Sequence, residues 1–382
     1  MTAAERYLRL GLRLGRHVDG LVDAYYGPPE LKDEVDAEPL ADAATLAADA
    51  DELLGELDEG WLYDQVRGLR TYAGVLAGEE LSYCDEIEGC YGVRPAPPQH
   101  EEYAAAQARL EELLPGEGDL VDRLESFRAS QLVPHDRLVP ALTALVDDLR
   151  ERTRALVDLP AGERLDLEAV HDEPWWAFNY YLGDLRSRVV VNLDMPTSAY
   201  DLVDLAAHEV YPGHHTEHAL KEQLLVRDRG LVEEAIQLVP TPQAVLSEGI
   251  AETGREIALD EDGEAAAVAI LRRHGIAYDD RASAVQDTLR SVRRVGLDAA
   301  LMIHEEGASV GDAEAYVRRW SLATPERARH TIRFVTDPTW RAYVITYSAG
   351  AELCRSYVGG DRSRFVRLLT EHVRIGDLAA AV

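Results

Sequence analysis

Apolar residues follow the 3.6-residue period of an amphipathic helix through most of this chain, and this pattern constrains the fold more than any other feature. From residue 3 to residue 24, one stripe carries Tyr7, Leu10, Leu14, Val18, Leu21 and Val22. The run YYGPP at 25–29 is predicted to end that helix, because glycine and proline interrupt helices. Further helices are predicted over 40–57, 61–77, 99–114 and 134–157. The sequence therefore predicts a mainly α protein.

The chain changes in character after residues 159–162 (LPAG), which are typical of a linker. Residues 186–194 read RSRVVVNLD and are rich in β-branched side chains, so they form the best predicted strand. Ser198 is placed to cap the next helix, which is predicted to begin at about residue 199. We expect a small sheet near the middle of the chain, and a division into a helical N-terminal lobe, 1–160, and a second lobe, 161–382.

The charge of the chain argues against several classes of partner. It has 70 acidic and 39 basic residues and a net charge of −31. Nucleic-acid binders need a basic face, and an anionic membrane would repel this surface, so neither is an expected partner. Lysine occurs only at Lys32 and Lys221. A genome rich in G and C explains the preference for arginine but not the acidic excess. A salt-rich cytoplasm, which screens carboxylate repulsion, explains both, so we favour a halophilic protein.

The sequence also suggests where the protein resides. The N-terminus alternates charged and apolar residues and lacks the continuous apolar run of a signal peptide. No stretch of about 20 apolar residues is present to span a membrane. The three cysteines do not form the even set of a disulfide framework and are expected to be buried small side chains. We therefore expect a cytoplasmic protein.

Four of the 12 histidines fall between residues 208 and 218, beside Glu209. Clustered histidine and glutamate are typical of a metal site, although His218 alone is better explained as an ordinary buried or surface imidazole. A catalytic zinc site needs three protein ligands and an open position, and a nearby carboxylate to take a proton from water. In the H-E-x-x-H motif, two histidines one turn apart bind zinc and the glutamate is the base. His208 is therefore the first predicted zinc ligand, and Glu209 is the predicted general base.

Pro212 stands where the second histidine of that motif would lie. Proline and the following Gly213 predict a bulge or kink, because proline removes a helical hydrogen bond. In a straight helix, His214 would lie off the face of His208, and His215 would lie roughly 10 Å along the axis. We favour His214 as the second ligand, since a kinked turn absorbs two extra residues, and keep His215 as its rival. The other histidine would support a ligand or face the substrate.

The third ligand is predicted on a later helix. Glu248 and Glu252 lie one turn apart and so share one face. Glu248 is the predicted ligand, and Glu252 is expected to hydrogen-bond a ligand histidine. Small Gly249 and Ala251 are expected to let this helix approach the one that carries His208. The alternative is a solvated acidic face, which is common in so acidic a chain.

These residues resemble a known family. Residues 208–215, HEVYPGHH, are similar to the HExxPGHH signature of the domain-of-unknown-function family 885, a zincin-like group. Further similarity is carried by residues 24–29 (AYYGPP), 190–193 (VVNL), 248–251 (EGIA), 333–334 (RF) and 347–350 (YSAG). The resemblance extends from about residue 20 to residue 358. It implies a two-lobed helical zincin-like metallopeptidase fold of the gluzincin type, with a small β-sheet near the metal site and residues 161–382 as the catalytic lobe.

Other side chains are candidates for substrate contacts. Tyr347 is predicted to donate a hydrogen bond to the developing oxyanion, with Tyr343 and His330 as rivals and a core aromatic as the alternative. Arg333 is a candidate for binding a substrate carboxylate, although a surface role is the simpler interpretation. The strand over 188–193 is expected to present an edge to an extended peptide, with Asn192 binding substrate. A packed strand is the alternative.

The predicted function is hydrolysis of a peptide or small amide substrate with one zinc ion and Glu209 as general base. A non-catalytic metal-binding helical protein is one alternative. A metal-dependent hydrolase of a non-peptide bond, such as an ester or lactone, is another. Manganese or iron would also accept these ligands.

Overall fold

A computed structural model describes residues 1–173 and 175–380, and it is mainly helical, as the apolar periodicity predicts. The elements before residue 160 are α1 (Ala3–Gly15), β1 (Val22–Tyr25), α2 (Pro29–Ala37), α3 (Ala43–Glu56), α4 (Trp61–Leu76), α5 (Tyr83–Tyr91), α6 (His100–Leu113), α7 (Leu120–Ala129) and α8 (His135–Arg154). The four helices predicted from residue 40 to residue 157 are confirmed as α3, α4, α6 and α8. Three shorter helices, α2, α5 and α7, were not predicted.

The second half begins with strands and continues as helices. Its strands are β2 (Arg164–Val170), β3 (Ala177–Gly183), β4 (Arg186–Asn192) and β5 (Ile236–Leu238). Its α-helices are α9 (Ala199–Leu205), α10 (His214–Lys221), α11 (Pro242–Ala258), α12 (Glu261–Arg273), α13 (Ala282–Arg290), α14 (Val295–His304), α15 (Val310–Trp320), α16 (Pro325–Thr336), α17 (Ala351–Val358), α18 (Arg362–Thr370) and α19 (Ile375–Ala379). In the described ranges, no helix has the length and apolar character needed to cross a bilayer.

The first predicted helix is too long. It ends at Gly15, and residues 22–25 instead form β1, which pairs antiparallel with β5. The chain turns through Gly20, whose φ of +80° favours glycine. Val22 then packs against Gly15. A Cβ on Gly15 would lie 2.6 Å from the Val22 side chain. Pairing with a strand more than two hundred residues away overrides the local helical pattern.

The predicted strand over 186–194 is confirmed as β4, but its predicted edge is wrong. β4 is the central strand of a three-stranded sheet, parallel to β2 and antiparallel to β3. Val189, Val190 and Val191 are buried in succession, as expected of a strand covered on both faces. Since both edges of β4 are paired, any peptide added to this sheet would have to use another strand.

Two large apolar cores do not follow the predicted boundary at residue 160. One core joins α1 and α3–α6 to α11 and to the C-terminal helices from α14 to α19. The other joins α8 to β4, α9 and α12. The N-terminal segment therefore packs directly against the last third of the chain, which brings β1 close to residues 236–248.

A candidate metal centre

The helix that carries His208 widens before it breaks. Ser198 caps α9 and forms a capping box with Asp201. Residues Ala206–Val210 then form a π-helix, and the chain leaves helical geometry at 211–213. The predicted bulge at this point is confirmed. His208 and Glu209 thus lie in a widened turn, a feature that is frequent at functional sites.

Gly213 lets the chain fold back over this turn. A Cβ at Gly213 would lie 1.8 Å from the carbonyl oxygen of His208, so no larger residue fits without a shift of the backbone. Its N–H donates to the carbonyl oxygen of Ala207 at 3.1 Å. Because α10 begins directly afterwards, the His214 ring lies against His208, with 4.8 Å between ring centroids.

Glu248 lies on α11, which is held close to the segment Thr346–Gly350. A Cβ on Gly249 would lie 2.3 Å from the Gly350 carbonyl oxygen, and one on Gly350 would lie 2.2 Å from that of Val245. The glycine at 249 therefore admits this C-terminal segment, rather than the His208 helix as the sequence suggested. The same close packing brings Tyr343 to Glu248, and its hydroxyl donates to Glu248 Oε1 at 2.9 Å.

His208, His214 and Glu248 form one cluster, in which one ligand atom from each lies within 4.8 Å of the others. His208 Nε2 is 3.5 Å from Glu248 Oε2, and His214 Nε2 is 3.9 Å from Glu248 Oε1. Glu248 Oε2 is buried and has no hydrogen-bond partner in the described residues. A buried carboxylate oxygen without a donor is costly, so this atom is available to a cation.

Electrostatics keep this cluster charged. Burial alone would lower the pKa of His208, but the Glu248 and Glu252 carboxylates outweigh it and raise that pKa well above its ordinary value. Burial alone would raise the pKa of Glu248, but the two histidines and the Tyr343 hydroxyl lower it. The carboxylate is therefore ionised at neutral pH, as a metal ligand must be, whereas His208 would have to release its proton to a binding ion.

The outward nitrogen of each histidine meets a supporting group. His208 Nδ1 lies 3.6 Å from Glu252 Oε1, in the position predicted for Glu252. His214 Nδ1 lies 3.1 Å from Ser247 Oγ, and that hydroxyl donates to Glu217 Oε2 at 2.7 Å. Such partners fix ring orientation and direct the Nε2 atoms towards Glu248.

His215, the rival of His214, lies outside the cluster. It is fully buried, with Nδ1 2.8 Å from Ser187 Oγ and Nε2 3.0 Å from Glu163 Oε2. The reason is helical geometry, since successive residues of α10 point about 100° apart. His215 instead ties α10 to β4 and to Glu163.

A cavity of about 660 Å³ opens above the cluster. Its lining brings together the predicted site residues His208, Glu209, His214, Glu248, Arg333 and Tyr347, together with the rivals Tyr343 and His330. Aromatic side chains cover two of its walls: Trp175, Trp176 and Phe178 near β3, and Phe334 and Trp340 near α16. Three of the five tryptophans and two of the four phenylalanines of the chain thus line one cavity, which marks it as an apolar binding site.

Asn192 does not reach this cavity, which contradicts its predicted contact with substrate. It is buried, and its amide donates to the carbonyl oxygens of Glu173 and Trp175 while its oxygen accepts from the Asp194 N–H. The cavity is lined instead by Asn179 of β3, which donates to the Glu209 carbonyl oxygen at 2.7 Å. Because β4 is central and β3 lies at the edge, the asparagine of β3 faces the site.

Among the cavity residues that sequence reasoning did not assign to the site are Asp23, Asn179 and His218. His218 stands one turn after His214, and burial lowers its pKa to about 3, so it is neutral. Its place in the histidine cluster was the signal that could have identified it. Asp23 had no such signal, because its position depends on the pairing of β1 with β5.

The comparisons with known proteins bear on the fold alone. No family model and no curated protein matches the sequence. A solved structure from Shewanella oneidensis, described as a "putative lipoprotein of unknown function", is similar with a TM-score of 0.52 and 14% identity. The similarity covers 92% of this chain and 69% of that one. The two chains therefore share a fold over nearly the whole of this chain.

Proposed function

We propose that this chain is a zinc-dependent hydrolase that cleaves peptide or related amide bonds in the aromatic-lined cavity. The observation that carries the proposal is the grouping of His208, His214 and Glu248 beside the Glu209 carboxylate at one cavity. Two imidazoles and one carboxylate are the ligand set of catalytic rather than structural zinc sites, which favour cysteine. The unpartnered Oε2 atom of Glu248 fits the same assignment.

His208 Nε2, His214 Nε2 and Glu248 would hold the ion. When bound, zinc supplies Lewis-acid polarisation of a carbonyl and makes water a nucleophile near neutral pH. The Glu209 carboxylate lines the cavity, and its oxygens make no hydrogen bond with residues of 1–173 or 175–380. It is therefore free to accept a proton from water and to pass it to the leaving amine.

Two phenols are placed to stabilise negative charge on the substrate oxygen. Shielding from solvent in the cavity and the Glu248 carboxylate raise the pKa values of Tyr343 and Tyr347 well above the ordinary value, so both remain protonated donors at neutral pH. The Tyr343 hydroxyl is engaged with Glu248, whereas Tyr347 is 41% exposed in the cavity and packs edge-on against the Tyr343 ring. We assign the oxyanion contact to Tyr347 and the support of Glu248 to Tyr343.

The two-lobed zincin-like fold and membership of domain-of-unknown-function family 885 are part of this proposal. They are supported by the HEVYPGHH motif at 208–215 and by the position of its histidines against Glu248. Residence in a salt-rich cytoplasm is a further part, supported by the net charge of −31. The metal content and the turnover of the protein test the metallopeptidase assignment.

The first test is zinc content in molar KCl. The wild type should hold about one equivalent, His208→Ala should hold none, and the exposed control His171→Ala should match the wild type. Zinc-free, well-folded wild-type protein would refute the site.

The second test separates an enzyme from a metal-binding protein without turnover. Glu209→Gln should keep zinc and lose hydrolysis of a peptide mixture by on the order of 10²- to 10⁴-fold. Glu306→Gln, which neutralises an exposed carboxylate far along the chain, is the matched control. Equal turnover in the Glu209 variant and the wild type would contradict the mechanism. If the wild type hydrolyses esters but no peptides, the protein is a hydrolase of a non-peptide bond.

A further inference from the structure

Asp23 is a carboxylate of the N-terminal segment that reaches the candidate active site. It lies in β1, between Val22, which packs on Gly15, and Ala24, which is buried beside Tyr181. The register of the pairing with β5 shifts between Val22 and Ala24, so Asp23 lies at an irregularity of the strand, and it lines the cavity with His214, Glu209 and Glu248. It remains exposed there. In the described ranges, its carboxylate makes no hydrogen bond or ion pair.

The surroundings of Asp23 leave its charge uncompensated. The cavity walls shield the carboxylate from part of the solvent and raise its pKa to about 6, His214 opposes that rise, and Glu209 and Glu248 add to it. One divalent cation at the His208 cluster would compensate Glu248 and stand beside Glu209. The Asp23 carboxylate would still lack a cationic partner in a cavity whose walls are largely aromatic.

The same cavity also carries a positive charge, at Arg333. Arg333 is exposed, and its guanidinium lies 3.5 Å from His330 Nδ1. Elsewhere in the described chain most arginines meet a carboxylate, as expected when acids outnumber bases, so an arginine left to the cavity is notable. The aromatic side chains of Trp175, Phe178 and Trp340 line the same cavity as Asp23 and Arg333.

We infer that Asp23 binds the free ammonium group of a short peptide, so that the enzyme removes residues from an unblocked N-terminus, preferably one with an apolar or aromatic side chain. This inference rests on the proposed hydrolase function. An ammonium group supplies the cation that Asp23 lacks, and a charge-assisted hydrogen bond is the strong form of that contact. The aromatic walls take the adjacent side chain.

The reaction balances as a hydrolysis. The C–N bond of the peptide breaks, the oxygen of water joins the carbonyl carbon, and Glu209 passes a proton from water to the departing amine. No oxidant or further reactant is needed. Asp23 takes no part in these steps: it sets the distance between the N-terminus and the bond that is cleaved.

The test compares ligands that differ only in the amino group. Phenylalanine amide and N-acetylphenylalanine amide are titrated calorimetrically into the zinc-loaded protein, and their hydrolysis is followed in parallel. The wild type should bind the free amine at least 10-fold more tightly than the acetylated ligand. Asp23→Asn should lose that preference and keep its zinc. Asp19→Asn, which removes the same charge from a nearby exposed position, should retain the preference.

The outcomes separate the inference from the function on which it rests. Equal wild-type binding or turnover of the free and acetylated compounds overturns the inference and leaves the hydrolase intact. An unchanged preference in Asp23→Asn also overturns it. If zinc is bound and neither compound nor any peptide is hydrolysed, the proposed function fails, while the binding contrast still reports on Asp23. The wild-type comparison needs no variant, so it stands even if Asp23→Asn folds poorly.

Discussion

Alanine substitution of two adjacent histidines should produce opposite defects. His215 is fully buried and contacts Ser187 Oγ and Glu163 Oε2. Its removal leaves Ser187 Oγ without a partner, at about 1–3 kcal/mol, takes one of two donors from Glu163 Oε2, and opens a cavity. We therefore expect His215→Ala to lower the free energy of unfolding by about 3–5 kcal/mol. His214 has a partly exposed ring and one such contact, with Ser247, so His214→Ala should cost only about 1 kcal/mol.

The assay must keep metal binding apart from folding. Unfolding is followed in urea at constant molar KCl, because an ionic denaturant would change the screening of this acidic surface. All proteins are first stripped of metal with a chelator, since an ion that binds only the folded state adds its own stabilisation. Zinc is then restored, and its stoichiometry is measured separately. His215→Ala should still bind one equivalent, and His214→Ala should bind none.

Two results would refute this reasoning. One is loss of zinc from His215→Ala while its unfolding free energy stays within about 1 kcal/mol of the wild type. The other is a full equivalent of zinc, bound with unchanged affinity, in His214→Ala. Either result would mean that His215, rather than His214, faces Glu248. The His171→Ala variant, which alters an exposed ring, controls for the loss of an imidazole as such.

Two further predictions follow from the same region. Gly213→Ala should disrupt the fold of residues 208–214, because the added Cβ would lie 1.8 Å from the His208 carbonyl oxygen. This variant should show a lower zinc affinity and a lower urea midpoint than the wild type. An unchanged zinc affinity would contradict the prediction. Burial alone would raise the pKa of Glu163, but hydrogen bonds from His215, Tyr211 and Arg150 lower it from 4.5 to about 2. This group therefore contributes up to about 3 kcal/mol above pH 4.5, which is lost as the pH falls towards 2. The urea midpoint of Glu163→Gln should fall less steeply than that of the wild type between pH 5 and 3, and parallel curves would be the contrary result.

The sequence predicted much of the local structure. Helices α3, α4, α6 and α8 and strand β4 were found where the periodicity placed them, because a period reports which face of one element is buried. The break after His208 was predicted for an equally local reason, since proline and glycine limit the backbone at 212–213. Glu248 was identified by its spacing from Glu252 on one helical face. Each of these inferences needed only residues within a few turns of one another.

Contacts between distant parts of the chain decided the rest. The local pattern of residues 22–25 suits a helix, and only pairing with β5 makes them a strand that carries Asp23 into the cavity. Asn192 and Asn179 are equally polar in sequence, but Asn192 in the central strand binds the backbone of Glu173 and Trp175, whereas Asn179 in the edge strand lies at the site. The choice of His214 over His215 likewise depends on where Ser187, Glu163 and Ser247 lie. Periodicity shows that a face is buried, whereas the partner of that face is set by tertiary packing, for which a single sequence carries no local signal.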